Sequence, residues 1–391
     1  MPVRSSRIEI DLDAIRKNTL YIQGKRKPGT KLLVPVKANA YGHGAVPCAR
    51  VFSQLGASHF GVAIAEEGAE LREGGIREPI LVFGHTFADN YDLLFDYDLT
   101  PNVFSLAQAE ELDERARRRN RKLAVHLSVD TGLSREGFGL GEAPEKIKAV
   151  CRLPNLVVEG IFSQLAMGDF WPDNGYCRVQ FERFTALCAG LGAAGIRIPL
   201  RHFCDSGATL LYPDMHLDMV RPGTSLYGMY CGEDFHALPG IEAYPAMSVK
   251  SRLAFVRSVP EGTPAGYACA WTAARDSVLG LVPYGFADGV SRIASNRGFA
   301  LLHGRRCPIV GMISMDQMII DMTEIENPAV GDEVVLAGAQ GGESISLAEA
   351  GAFAGTTDVE FACRQGARVP RIYVNGGLGK YEQAFRSRLQ G

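Results

Sequence analysis

The chain has 391 residues, 46% of them hydrophobic and 22% charged, with 41 basic against 44 acidic groups for a formal net charge of −3. That length favours two domains, and the near-even balance argues against nucleic acid or an anionic membrane as partner. No apolar stretch approaches the ~18 residues of a membrane span, and Met1-Pro2-Val3-Arg4 has no apolar signal core, so a cytoplasmic location is expected.

In chain order, Ile8-Glu9-Ile10-Asp11-Leu12-Asp13-Ala14-Ile15 reads as a short strand and then a helix with Asp11 or Asp13 near its N-terminus. Residues 1–12 precede the main alternating pattern and are candidates for pairing with the C-terminal domain. From about residue 30 to 230, apolar runs alternate with amphipathic segments. The strand candidates are Leu32–Val36, Phe60–Ala63, Ile80–Phe83, Leu99–Val103, Leu123–Val129, Val157–Phe162, Leu200–Cys204 and Leu217–Val220. Gly44–Leu55, Ala65–Glu73, Leu106–Arg119, Ala143–Cys151 and Gln180–Leu191 are helix candidates between them. Eight such strands predict an α/β fold, a (β/α)₈ TIM-like barrel, with an open doubly wound sheet as the alternative.

After residue 240 the texture becomes that of a mostly-β domain, with strands at Met247–Val256, Ser277–Val282, Phe299–Leu302, Cys307–Ile313, Met318–Asp321 and Glu333–Leu336. The division expected is 1–236 and 237–391, near Leu238-Pro239-Gly240. Nine scattered cysteines, none in a CxxC pair, imply neither a metal site nor a disulfide framework, and most are expected as buried small hydrophobes.

The first chemically distinctive segment is Val34-Pro35-Val36-Lys37-Ala38-Asn39-Ala40-Tyr41-Gly42-His43-Gly44. An apolar strand ends on a lysine and a glycine-containing turn follows. In partly apolar surroundings that lysine is a nucleophile toward an aldehyde. The alternative is a strand-end lysine reaching solvent. Later strand candidates end in Asp130-Thr131-Gly132-Leu133-Ser134-Arg135, in His202-Phe203-Cys204-Asp205-Ser206-Gly207 and in Arg221-Pro222-Gly223-Thr224. In a barrel these converge on one mouth. Taken alone, Arg135 is equally a surface arginine, and Ser206 a helix cap or a phosphate seat.

These segments together resemble the alanine racemases, fold-type III enzymes that use pyridoxal 5'-phosphate, and the resemblance spans roughly residues 5–375. It continues in the β domain through Tyr267, through Pro283-Tyr284-Gly285-Phe286-Ala287-Asp288-Gly289, through Met315-Asp316-Gln317 and through Arg368-Val369-Pro370-Arg371. The resemblance implies that Lys37 forms a Schiff base with the cofactor. Tyr41, Ser206, Gly223 and Thr224 would hold its phosphate, Arg135 its phenolic oxygen and Arg221 its pyridine nitrogen. A guanidinium keeps its proton, so the ring would be a weak electron sink. Lys37 and Tyr267 would be the two bases on opposite faces of the substrate, with Tyr267 supplied by a second subunit of a homodimer. Arg135 and the Met315 N–H would bind the amino acid substrate. Asp316 is read as structural.

Four positions depart from that pattern. Ser128 replaces a lysine that is often carbamylated, so either an anion such as chloride fills the gap beside Arg135 or Arg135 is held differently. Gln164 replaces a histidine that stacks on the cofactor, Phe286 a tyrosine of the substrate entry, and Val359 a tyrosine that reaches the phosphate. Asp205 also stands where the family has asparagine. The expected reaction is L-alanine to D-alanine. The alternatives are a broad-specificity racemase acting on serine, lysine or arginine, and a non-catalytic cofactor-binding protein.

Overall fold

The computed structural model describes residues 4–170, 172–230, 235 and 238–376. Eight parallel strands close on themselves: Lys31–Pro35, His59–Val62, Ile80–Val82, Thr100–Val103, Leu123–Asp130, Leu156–Phe162, Leu200–His202 and Met219–Val220. Closure is made at Asn102 opposite His126 and at Met219 opposite both Lys31 and His202. The open-sheet alternative is therefore excluded. Lys31–Pro35 is buried at every position after its first, as expected for a strand covered on both faces. That is why these strands read as continuous apolar runs. Leu33, Leu81, Phe162 and Met219, from four different strands, form a cluster of their own.

The second sheet has ten strands. Arg7–Asp11 is drawn into it, antiparallel to Met247–Arg252 with Ile8 opposite Val249, and parallel to Arg371–Val374 with Ile8 opposite Arg371. Asp11 caps the following helix, Leu12–Lys25, accepting from the N–H of Asp13 and Ala14.

The sequence reading needs correction at two elements and at the cysteines. Met247–Val256 is two strands, Met247–Arg252 and Phe255–Val259. Between them the Leu253 N–H bonds Asp332 O and the Ala254 N–H bonds Leu281 O, so the chain passes from one neighbouring strand to another. The strand expected at Cys307–Ile313 runs Arg305–Val310 and stops before Gly311, whose φ is +72°. Of the eight described cysteines four are buried, while Cys151, Cys269 and Cys363 are exposed. The expected domain division at 236/237 lies outside the described residues. Among the described residues no helix is long and apolar enough to cross a membrane.

The Asp288 carboxylate ties the N-terminus to the β domain. It accepts from Arg4 Nη1 (2.5 Å) and Nη2 (2.9 Å), Arg368 Nε (2.6 Å) and the Gly285 N–H (3.0 Å). Burial alone would raise its pKa, but the bonds from Arg4 and Arg368 outweigh it and hold the carboxyl below the usual range. A depressed pKa contributes stability that is complete above the unfolded value of ~3.9 and fades as pH falls below it. Asp288→Asn should cost about 2 kcal/mol at neutral pH, since both arginines keep partial access to water. Urea unfolding at pH 7 should show that loss, and the gap from the native protein should narrow below pH ~4.

Candidate active site

The first barrel strand delivers Lys37 to the C-terminal end of the barrel. The next four residues, Ala38, Asn39, Ala40 and Tyr41, have φ of 52°, 55°, 53° and 52°. None is glycine, so this left-handed turn is held from outside. Glu67 accepts from the Ala38 N–H through Oε1 (2.6 Å) and from the Ala63 N–H through Oε2 (2.8 Å). Asn39 Oδ1 accepts from the Ala45 N–H (2.8 Å), and Arg371 Nε donates to Gly42 O (2.9 Å). The Tyr227 hydroxyl donates to Pro35 O (3.0 Å), and its ring packs 5.2 Å from Tyr41 and 4.8 Å from His43.

Lys37, Tyr41, Arg135, Ser206, Arg221, Gly223 and Thr224 all line one cavity of ≈ 180 Å³. Burial lowers the pKa of Lys37, Arg135 and Arg221 lower it further, and Glu67 opposes them. The lysine is thus displaced toward its neutral, nucleophilic form. The helix Ser206–Leu211 is capped by Asp205, which accepts from the Ala208 N–H (3.1 Å). Capping by Asp205 leaves the Ser206 hydroxyl oxygen to accept from the N–H groups of Gly223 (2.8 Å) and Ser225 (3.3 Å). A Cβ on Gly223 would lie 2.6 Å from the Tyr41 hydroxyl, so a side chain there would crowd that hydroxyl.

Arg221 is buried, and burial lowers its pKa to about 10, leaving it charged at neutral pH. It donates to His202 Nδ1 (3.1 Å), Ser163 O (2.8 Å), Phe203 O (3.1 Å) and Gln164 Oε1 (3.3 Å). A guanidinium only donates, so the His202 proton is on Nε2, which donates to His126 Nδ1 (2.9 Å). Burial keeps both histidines neutral.

Sequence reasoning missed Glu67, His202, His126, Tyr227 and Asp169. Asp169 sits in an irregular loop, lines the cavity and accepts from the Gly207 N–H (2.7 Å). Burial raises its pKa. The one available signal was Asp169 as an acid in a segment of otherwise apolar and small residues. Arg135 is 61% exposed, with Glu136 at 3.4 Å, on a loop whose Gly132, Leu133 and Ser134 N–H groups all bond Asp130 Oδ1. The buried Ser128 hydroxyl beside it has no partner.

Tyr267 and Met315 are not brought to Lys37 within the chain. They stand 66% and 56% exposed on the β domain. Phe286 is exposed on the same domain, and Val359 is in the first turn of the helix Asp358–Cys363. Asp316 accepts from Arg368 Nη2 (2.7 Å).

Residues 10–231 match the alanine racemase N-terminal domain family and residues 246–373 its C-terminal domain family. The chain belongs to the alanine racemase family. It is a racemase, and the non-catalytic alternative falls with that. The alanine racemase of Methanococcus maripaludis is 41% identical over 372 residues, covering 94% of this chain and 98% of its own. The solved alanine racemase of Clostridium difficile 630 aligns with a TM-score of 0.91 at 32% identity, over 97% of this chain and 98% of that one. That of Bartonella henselae, with covalently bound pyridoxal phosphate, aligns at 0.83 and 28%, over 95% and 99%.

The turn after Lys37 is directly testable. A Cβ on Gly42 would lie 2.1 Å from Ala362 O, and its φ is +83°. Gly42→Ala should lose at least ~2 kcal/mol in urea unfolding. It should also slow borohydride trapping of an aldehyde on Lys37, read by peptide mass, while surface lysines react unchanged.

Proposed function

We propose that this racemase interconverts L- and D-alanine with pyridoxal 5'-phosphate by a Lys37/Tyr267 two-base mechanism in a homodimer. One observation carries the reading: the lysine, the hydroxyl and N–H seat, and the buried arginine share one cavity, whereas Tyr267 and Met315 face outward. The cavity fits the cofactor chemically. Tyr41, Ser206 and the N–H groups of Gly223 and Thr224 suit a phosphate, Lys37 an aldehyde, and Arg221 a lone-pair acceptor. When bound, pyridoxal phosphate supplies an electron sink conjugated to the substrate α-carbon.

Lys37 would hold the cofactor through its amine and would move the substrate α-proton on one face. Tyr267 of the second subunit moves it on the other. Arg221 donates a hydrogen bond to the ring nitrogen and keeps its own proton, which limits how much charge the ring accepts. Arg135 donates to the phenolic oxygen and, with the Met315 N–H, binds the substrate carboxylate. An anion such as chloride between Ser128 and Arg135 belongs to the same proposal, supported by the unpartnered buried hydroxyl there.

Subunit sharing predicts complementation. Lys37→Ala should lose the bound cofactor's visible absorbance, and Tyr267→Phe should lose racemisation. Refolding the two inactive variants together should restore about a quarter of native activity, because half the dimers are mixed and each has one intact site. No recovery would overturn a shared site.

A broader substrate range is the second reading, favoured by Phe286 and Val359, which lack the hydroxyls of the family pattern. A panel of L-amino acids scored by chiral inversion should show alanine with the highest kcat/KM, and equal values for lysine or arginine would overturn alanine. Replacing chloride by a bulky organic anion should raise KM, and Ser128→Lys should abolish that response.

A further inference from the structure

Two of this chain's departures touch each other. Gln164 Nε2 donates to Asp205 Oδ2 (3.1 Å), while Gln164 Oε1 accepts from Arg221 Nη2 (3.3 Å). A side-chain amide offers a donor and an acceptor at once, so it joins a carboxylate to a guanidinium. The other hydrogen-bond partners of the Arg221 guanidinium are neutral: an imidazole nitrogen and two backbone carbonyls. Asp205 cannot swing away, because its second oxygen caps the Ala208 N–H. We propose that Asp205, acting through Gln164, is a positioning residue that sets how strongly Arg221 donates to the cofactor ring nitrogen. This rests on the cofactor reading given above.

The sign follows from electrostatics. An ionised Asp205 compensates the Arg221 charge and makes it the weaker donor. A protonated Asp205 leaves the full charge facing the cavity. Asp205 is poised between these states: burial and the neighbouring Asp169 raise its pKa to about 8, against the Ala208 N–H and Arg221, which lower it. The groups facing it are Asp169 from the loop before the helix Tyr176–Ala193, Cys177 on that helix, Cys204 beside it and Arg221 just after the last barrel strand. Both thiols are pushed upward and stay neutral in this range. Asp169 in turn feels Asp358 and Lys37.

The test uses holoenzyme reconstituted with cofactor isotope-labelled at the ring nitrogen, followed by magnetic resonance across a pH range spanning about 8. In the native protein the ring resonance should shift with pH, in step with loss of a protonated-carboxyl infrared band. Asp205→Asn should hold the resonance at its acid-side position throughout and remove that band. Gln164→Met should keep the infrared transition and lose the resonance shift, a separation that a merely structural role does not produce. A resonance that moves alike in native protein and Asp205→Asn, or alike in native protein and Gln164→Met, overturns the coupling. So does a bound resonance that never moves in the native protein. Either variant alone decides the matter if the other fails to fold. Absence of any bound cofactor signal overturns the underlying site reading instead.

Discussion

Four consecutive residues after Lys37 lie in the left-handed backbone region without a glycine among them. For ordinary residues that costs roughly 1–2 kcal/mol each, so the turn persists only because its surroundings over-determine it. The supports come from distant parts of the chain: Glu67 after the second barrel strand, Tyr227 beyond the eighth, Arg371 in the second sheet, and the Ala362 carbonyl against Gly42. Two of these four belong to the C-terminal part. The direction in which Lys37 points therefore depends on Arg371–Val374 staying paired with Arg7–Asp11. The N-terminal strand leaves the barrel to join the second sheet, and in doing so it fixes the lysine of the barrel.

Around that lysine the charges are arranged to be weakly compensated. Arg221 is buried among neutral acceptors, and the histidine pair behind it is arranged so that one ring nitrogen after another accepts. The hydroxyl seat is likewise uncharged. Ser206 Oγ is a hub for the N–H of Gly223 and Ser225 and for the hydroxyls of Thr224 and Ser225. Neutral donors hold an anion without adding a positive charge that would compete with Arg221. The nearby buried carboxyls, Asp169 and Asp205, have raised pKa values because burial tolerates their charge poorly, so they offset these cations only weakly.

The barrel was readable because burial on both faces turns each strand into an apolar run, and Ala65–Glu73, Ser277–Val282, Phe299–Leu302 and Met318–Asp321 appear as read. Closure was not readable, since periodicity carries no information about which strands meet. The split at Leu253-Ala254 was hidden because both halves are apolar and only a change of pairing partner separates them. In the site, Lys37 stood out as a lysine ending an apolar run, whereas Arg135, Ser206 and Arg221 stood out through motifs that resemble the family's. Ala38 and Ala40 gave no sign of positive φ, because alanine is a helix former and the strain is imposed by tertiary contacts. Glu67 and His202 look like ordinary helix and strand residues until the fold places an N–H or a guanidinium against them.

The same device recurs at the other proposed proton-moving group. Tyr267 sits at the tip of the hairpin formed by Pro264–Ala265 and Trp271–Thr272, and Ala268 and Cys269 after it have φ of 58° and 48°. Here the support is local. Asn296 Nδ2 donates to Ala270 O (3.0 Å), while its Oδ1 accepts from the Gly311 N–H (2.6 Å). Gly266, with φ of +75°, has no room for a Cβ, which would lie 2.9 Å from Met312 N. A tyrosine needed only for packing has no reason to stand two-thirds exposed on a strained tip. The turn at Lys37 is braced from four directions because its side chain points inward among its own chain's residues. The turn at Tyr267 is braced by Asn296 from behind, and its outer face is exposed.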